Sequence, residues 1–288
     1  MTIAVTSWSV WLPGLGPAET LGGWSPGPAC RPEEAGELLG RKGLLNKEPA
    51  TRLALCAVHR ALGLPPGHRR GRGAPPDPDT AVVASSNLGN VHTTCAVARA
   101  VRDQGVRGVS PLDAPNVSSN VIASSVAIWF GFGGPNLMVC SGHPSGLDAI
   151  ALGGLLLASG RARRVVAVGV EPDDPIAAAL CAPGPPLRQA AACVVLEPSG
   201  GIVLDRVTEA AGPVFRDEAT PTIVIGPGGD GALDLTRRLG HTYGALGVLQ
   251  VAVGAALLHE RGGAARIVCG DPTDGYRTTR LTSARTAS

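Results

Sequence analysis

Short apolar runs alternating with helical patterns predict a layered α/β domain. Two kinds of segment carry that expectation. The unbroken apolar run 165–170 suits a strand buried on both faces. The stretch 46–62 places apolar residues at 53, 54, 57, 58 and 61, which is one face of a helix. Turn-forming residues, drawn from 40 Gly and 25 Pro, punctuate the segments.

In chain order, residues 3–5 read as a first strand, and 12–40, rich in Gly and Pro, as irregular. The helix at 46–62 leads to a basic loop at 65–78, read as a solvated turn. Next come a strand at Thr80–Ser85 and helices at 91–101 and 117–130. A strand at 137–140 runs straight into the turn SGHPSG and a long helix at 145–159. The strand at 165–170, a short helix, and strands at 191–196 and 202–207 follow. The last third holds a strand at Thr222–Ile225, a Gly-rich turn, a helix at 243–259 and a strand at 266–269, and the tail after Leu281 reads as loose.

Composition narrows the function classes. With 44% hydrophobic and 17% charged residues, the 288-residue chain can bury a sizeable core and is too apolar to stay disordered. Aromatics are only 3%, so Ala, Val, Leu and Gly must build that core. A net charge of +2 argues against nucleic acid as a partner. No uninterrupted apolar run reaches the roughly 18 residues that span a bilayer, and the N-terminus lacks a charged leader pattern. The expectation is a cytoplasmic protein with no membrane partner. The seven cysteines, at 30, 56, 95, 140, 181, 193 and 269, form no C-x-x-C pair, so neither a metal site nor a disulfide framework is expected. The turn GPGGDG lacks the spacing of a dinucleotide or phosphate loop, and no cofactor is expected.

The informative segment is PNVSSNVIASSVAIWFGFGGPNLMVCSGHPSGLDAIALGGLLLASGRARRVVAVGVEP, residues 115–172. Pro115, Asn120, Gly131, Gly134, Pro135, Ser145 and Gly146 stand where β-ketoacyl synthases carry P-x-x-x-x-N, F/Y-G-x-x-G-P and A-C-x-S-G. A second match, to G-H-T-x-G-A-x-G, lies at Gly240, His241, Thr242, Gly244, Ala245 and Gly247. The chain therefore resembles that family over roughly 36–198 and 238–262. The resemblance implies one thiolase-like layered α/β domain over 1–288, with an N-terminal half at 1–200 and a shortened C-terminal half at 201–282.

The departures matter most. The family's nucleophilic cysteine sits where a strand turns into a helix, whose partial positive charge stabilises a thiolate. Here that position is His143, which cannot form a stable thioester and sits where a helix end repels a cation. Pro144 behind it suits a first helical position. The loop after Ile225, GPGGDGALD, has no histidine, and the family's gating G-F-G-G-x-N is replaced by CGDPTDGYRTT. His241 is retained, with a structural role at a helix start expected. Cys140 reads as a buried structural cysteine, and Ser145 lacks an evident acid for a hydrolase triad. His59, His68, His92 and His259 read as surface or helix-face residues.

Scaffold without nucleophile resembles the chain-length factors of type II polyketide synthases. That resemblance implies a non-catalytic subunit paired with a catalytic ketosynthase, serving elongation on acyl carrier protein, in an atypical, reducing polyene-type branch. It implies pairing through the strand Leu137, Met138, Val139 and Cys140, with Trp129, Phe130 and Phe132 either joining that interface or packing in the local core. It places Asp113, Val117, Ser118 and Val121 at the acyl tunnel, where the small Val117 and Ser118 suit a deep pocket. Two other readings remain open. One is an independent acyltransferase or decarboxylase using His143, His241 or Ser145. The other is a homodimeric scaffold that meets the carrier protein through Arg161, Arg163 and Arg164.

Overall fold

The computed structural model describes residues 2–16, 18–68, 74–212, 222–229 and 231–283. The core of the basic loop, the Asp230 position of the Gly-rich turn and the last five residues fall outside the described residues.

β-Branched and small apolar residues build one ten-stranded sheet, ordered β3-β2-β4-β5-β1-β6-β10-β9-β8 with β7 paired to β10. Its first half comprises β1 (Ile3–Trp11), β2 (Thr80–Ser85), β3 (Asn136–Val139), β4 (Arg164–Glu171) and β5 (Ala190–Glu197). The second comprises β6 (Ile202–Leu204), β7 (Thr208–Ala210), β8 (Thr222–Ile225), β9 (Ala264–Asp271) and β10 (Gly275–Ser283). β2 pairs in parallel with both β3 and β4, as strand–helix–strand crossovers require. β4–β5, β5–β1 and β1–β6 are antiparallel, which carries the sheet from one half into the other.

Two apolar helices sit between the halves. α5 (Ser145–Ala158) packs on β2 and β4, and α8 (Leu246–Arg261) packs on β1, β5 and β9. Both belong to one core with Val165, Ala167, Val194 and Ile267. Residues Tyr243–Arg261, 19 long with mean hydropathy 1.2, pass the length and composition test for a membrane crossing, yet 83% of that window is buried inside the protein. The helices touch backbone to backbone at their starts. A Cβ on Gly146 would lie 2.7 Å from Gly247 Cα, and one on Gly247 would lie 2.5 Å from Leu147 N, so both must be glycine.

The opposite face is covered by α2 (Pro49–Ala61) and α4 (Val121–Phe130), packed on Val82, Val166, Val168 and Cys193. α2 is more buried than the one-face pattern predicts: ten of its thirteen residues are buried, because it touches β1, β4, β5 and α4. His59 is among them: it lies on a helix, as one of its two expected placements had it, but on a buried face rather than at the surface. Its Nε2 lies 3.0 Å from the Pro65 carbonyl oxygen, and Phe130 packs near its ring. α1 (Ala35–Leu39), α3 (Val91–Gln104), α6 (Pro175–Leu180) and α7 (Leu235–Leu239) are peripheral, and α3 buries no residue.

Most predicted elements stand within a few residues of their expected bounds. The first strand is longer, the 202–207 strand is shortened to β6, and β7 is a separate strand beyond its expected end. β10 is a further correction: the stretch read as a turn and loose tail forms a strand through Ser283. Arg, Thr and Tyr fill it because only Thr279 and Leu281 are fully buried there.

Candidate functional site

β3 delivers the chain to the start of α5, and the β9–β10 turn closes over it. After Val139 the backbone passes through Cys140, Ser141, Gly142, His143 and Pro144 before helix begins at Ser145. Pro144 is the N-cap rather than the first helical residue, a one-residue displacement. Asn87, beyond the end of β2, locks this turn. Its Nδ2 donates to Gly142 O at 2.9 Å, and Gly142 N–H donates to its Oδ1 at 3.2 Å. The buried Ser145 hydroxyl accepts from Ser141 N–H at 2.8 Å and lies 2.6 Å from Gly142 O and 3.0 Å from Asn87 Oδ1. It is occupied in holding the turn, and no histidine hydrogen-bonds to it among the described residues, which weighs against a serine nucleophile.

His143 faces the opposite loop. Its backbone N–H donates to Asp274 Oδ2 at 2.9 Å. Its Nδ1 lies 3.2 Å from both Asp274 Oδ2 and Asp271 Oδ2. Asp271 Oδ1 accepts from Thr273 N–H at 3.0 Å and Asp274 N–H at 2.7 Å, which orients the other oxygen towards the imidazole. Gly142 adopts φ +77°, and a Cβ there would sit 2.0 Å from Asp274 Oδ2, so only glycine admits the loop. The objection that a helix start repels a cation is met by these two carboxylates. The backbone N–H of His143, and then its ring, hold the Asp274 carboxyl below its usual range.

His241 and Tyr243 complete the cluster. The ring centroids of His143 lie 4.8 Å from His241 and 4.9 Å from Tyr243, and those two are 5.0 Å apart. Burial, reinforced by His143, pushes the His241 ring down to about 4, so it is neutral near pH 7. His241 does not start α8: it is bridged to Leu187, ahead of a short turn at Tyr243–Ala245. Beneath the site the fully buried Glu171 accepts from the N–H groups of Asn87 (3.1 Å), Leu88 (2.7 Å) and Gly244 (2.7 Å) and from Ser86 Oγ (3.0 Å). Burial outweighs these four donors and raises its carboxyl to about 7.

Two thiols flank the turn. Cys140 is exposed just past the end of β3, which corrects its assignment as a buried strand residue: the strand ends one residue earlier. Cys269 is fully buried, with its Sγ 3.2 Å from the His143 carbonyl oxygen. Burial raises both thiols above their ordinary value, so neither favours the nucleophilic thiolate.

The remaining predicted residues lie towards the β3 edge. Asp113, Val117 and Ser118 are exposed and Val121 is buried. Leu137 and Cys140 are exposed, while Met138 and Val139 are half-buried against the two core clusters. Trp129, Phe130 and Phe132 all pack on the α2–α4 core, Phe130 stacking on Phe132 at 5.8 Å. Sequence reading did not single out Asp271, Asp274 or Tyr243. The aspartates stand 128 and 131 positions from His143, so no local spacing could announce them.

The fold around this turn agrees with the comparisons. The β-ketoacyl synthase N-terminal domain family matches residues 37–199, and the chain belongs to that family. Its fold is similar to that of an ishigamide ketosynthase/chain length factor, at 20% identity and TM-score 0.72, covering 98% of this chain and 99% of the other. It is also similar to a chain of the AntDE:AntF complex, a type II polyketide synthase acyl-carrier protein with its ketosynthase bound to the hexaketide. That match has 13% identity and TM-score 0.69, covering 99% of each chain. A β-ketoacyl synthase from Burkholderia phymatum matches at 12% identity and TM-score 0.64, covering 99% of this chain and 100% of that one. At these identities the likenesses establish the thiolase-like α/β fold. No curated protein matches the chain.

Proposed function

We propose that this chain is a chain-length-factor-like subunit without acyl-transfer chemistry of its own. It pairs with a catalytic ketosynthase and shapes the acyl tunnel while a polyketide grows on acyl carrier protein. The observation that carries the reading is the start of α5, where the residue that the resemblance aligns with the nucleophile is His143, its Nδ1 engaged by Asp271 and Asp274 at 3.2 Å each. Neither flanking thiol is disposed to take over.

A second set of features supports pairing. β3 is the outermost strand of its half of the sheet, bonded only to β2 among the described strands. Unpaired edges invite another chain to continue the sheet. Beside it, Ile128 is 79% exposed and Leu137 36% exposed. A ketosynthase strand added there, across Leu137, Met138, Val139 and Cys140, would cover them. Asp113, Val117 and Ser118 would then leave solvent for the partner's tunnel, where Asp113 needs a polar neighbour to be tolerated.

Co-expression with a catalytic ketosynthase, followed by size exclusion and an elongation assay, tests the reading. A one-to-one complex required for elongation is expected, with Val117→Trp in that complex shortening the product. Elongation that proceeds equally without this chain would overturn it, and unchanged product length in the variant would remove Val117 from the tunnel.

A further inference from the structure

The cysteines are scattered along the chain, yet folding sets two of them side by side, far from the start of α5. We propose that Cys30 and Cys56 form an oxidation site, joined as a disulfide when the chain meets a peroxide. This inference concerns the isolated chain and does not rest on the pairing reading.

The register of one irregular segment on one helix face carries it. Arg52, Cys56 and Arg60 are four residues apart on α2, so they stand one above another along the same face. Segment 26–32 crosses that face in the opposite direction. Arg60 donates to the carbonyl oxygens of Pro26, at 3.4 Å, and Pro28, and Arg52 donates to that of Pro32 at 3.4 Å. Cys30 falls between these anchors, opposite Cys56. A further bond holds it there: Trp11 Nε1 donates to the Cys30 carbonyl oxygen at 3.0 Å, and Arg60 Cζ lies 4.0 Å over the Trp11 ring. Cys56 belongs to the α2–α4 core, and Cys30 packs against that core. The two side chains meet, thiol hydrogen-bonded to thiol.

The two sulfurs are unequal, as an oxidisable pair needs. Cys30 is half-buried, so a small oxidant reaches it, whereas Cys56 is fully buried. Cys56, donating to Cys30 Sγ, holds the Cys30 thiol below its ordinary range, against the opposing effects of burial and of Glu34 and Glu37. The same contact, reinforced by burial, pushes the Cys56 thiol up. Cysteines that sense peroxide combine thiolate character, access and a second thiol alongside.

The oxidant is hydrogen peroxide. Cys30 thiolate attacks one of its oxygens. An S–O bond forms as the O–O bond breaks, and the departing hydroxide takes up the proton that Cys30 released, leaving water and a sulfenic acid. The Cys56 sulfur then attacks the Cys30 sulfur. The S–S bond forms, the S–O bond breaks, and the second hydroxide leaves as water with the Cys56 proton. Two electrons pass from the pair of sulfurs to the peroxide. The product fastens the Gly- and Pro-rich segment to α2 by a covalent tie.

The test uses the full chain, reduced, freed of reductant and treated with hydrogen peroxide. It is then denatured in excess alkylating reagent and digested with trypsin. Cleavage after Arg41, Arg52 and Arg60 leaves Cys30 and Cys56 as the sole cysteines of two peptides. A cross-linked pair of those peptides is expected, lighter by two hydrogens than their sum and separated by dithiothreitol. Cys56→Ser should abolish the cross-link and leave Cys30 as a sulfenic acid that dimedone traps. Cys140→Ser should leave the cross-link unchanged, which separates this pair from chemistry begun at the exposed thiol. Full alkylation of both cysteines at a peroxide dose that oxidises Cys140 would overturn the proposal. So would a bond from either cysteine to a different one in place of this pair, no dimedone label on Cys30 in Cys56→Ser, or loss of the cross-link in Cys140→Ser.

Discussion

Two buried glutamates mark two differently finished regions. Glu171, beneath the start of α5, receives four hydrogen bonds from three backbone amides and a serine. Glu48, at the start of α2, is 7% exposed, and among the described residues its Oε2 has no hydrogen-bond partner, Thr93 being the group that bonds to its carboxyl. The neighbourhoods differ in the same way. Around Glu171 the turn, the glycine contact and the His143–aspartate cluster close on one another. Around Glu48, α3 buries nothing, and the nearby flank carries the bare Ile128 and the open edge of β3. The start of α5 is tied together from within, while the flank that carries β3 leaves a strand edge and an apolar side chain uncovered.

The largest effect expected from breaking the sealed region is at the glycine contact. Gly247→Ala forces a Cβ to within 2.5 Å of Leu147 N, against backbone that cannot swing aside. Overpacking of that kind should cost about 3 kcal/mol, read as a drop in urea midpoint at unchanged slope. A neutral result would mean that α5 and α8 are not in backbone contact. Glu171→Gln comes next. An amide NH₂ must then face amide donors that now meet a carboxylate, at a cost of about 2 kcal/mol in the same titration.

Glu48 sharpens the contrast through pH. Burial raises its carboxyl to about 7 from an ordinary 4.5. The folded state therefore holds the proton more tightly than the unfolded state, and the linked stability is full below about pH 4.5 and lost as pH rises through about 7. Glu48→Gln cannot lose a proton, so it should be more stable than the parent above that range and nearly equal to it below. A stability difference independent of pH would show that Glu48 is paired. The smallest effect is expected at the open edge. Ile128→Asp should change the stability of the chain alone by less than about 0.5 kcal/mol while preventing its complex with a ketosynthase in size exclusion. Destabilisation of the chain alone would place Ile128 in the core instead.

What the sequence disclosed and what it concealed follow from range. β2 and β8 fall at their expected bounds, and α5 within a residue, because continuous Val, Ile, Ala and Leu runs are local signals. His59 and the all-round burial of α2 were hidden because surroundings built by distant strands override a helical stripe. β10 was hidden because Thr and Arg fill most of a half-covered strand, and the Asp-Pro turn before it dominates the pattern. That histidine stands at position 143, where the resemblance leads one to expect the family's cysteine, is visible in the sequence alone. The aspartates that engage that histidine are not, since only folding brings 271 and 274 to 143.

The central claim is that no residue of this chain takes up an acyl group. Intact-protein mass spectrometry after incubation with an acyl thioester, in the absence of any ketosynthase, measures it directly. An unmodified mass is predicted. A stoichiometric acyl adduct mapped to Cys140, Ser145 or Cys269 would contradict the account and restore the chain to the catalytic members of its family.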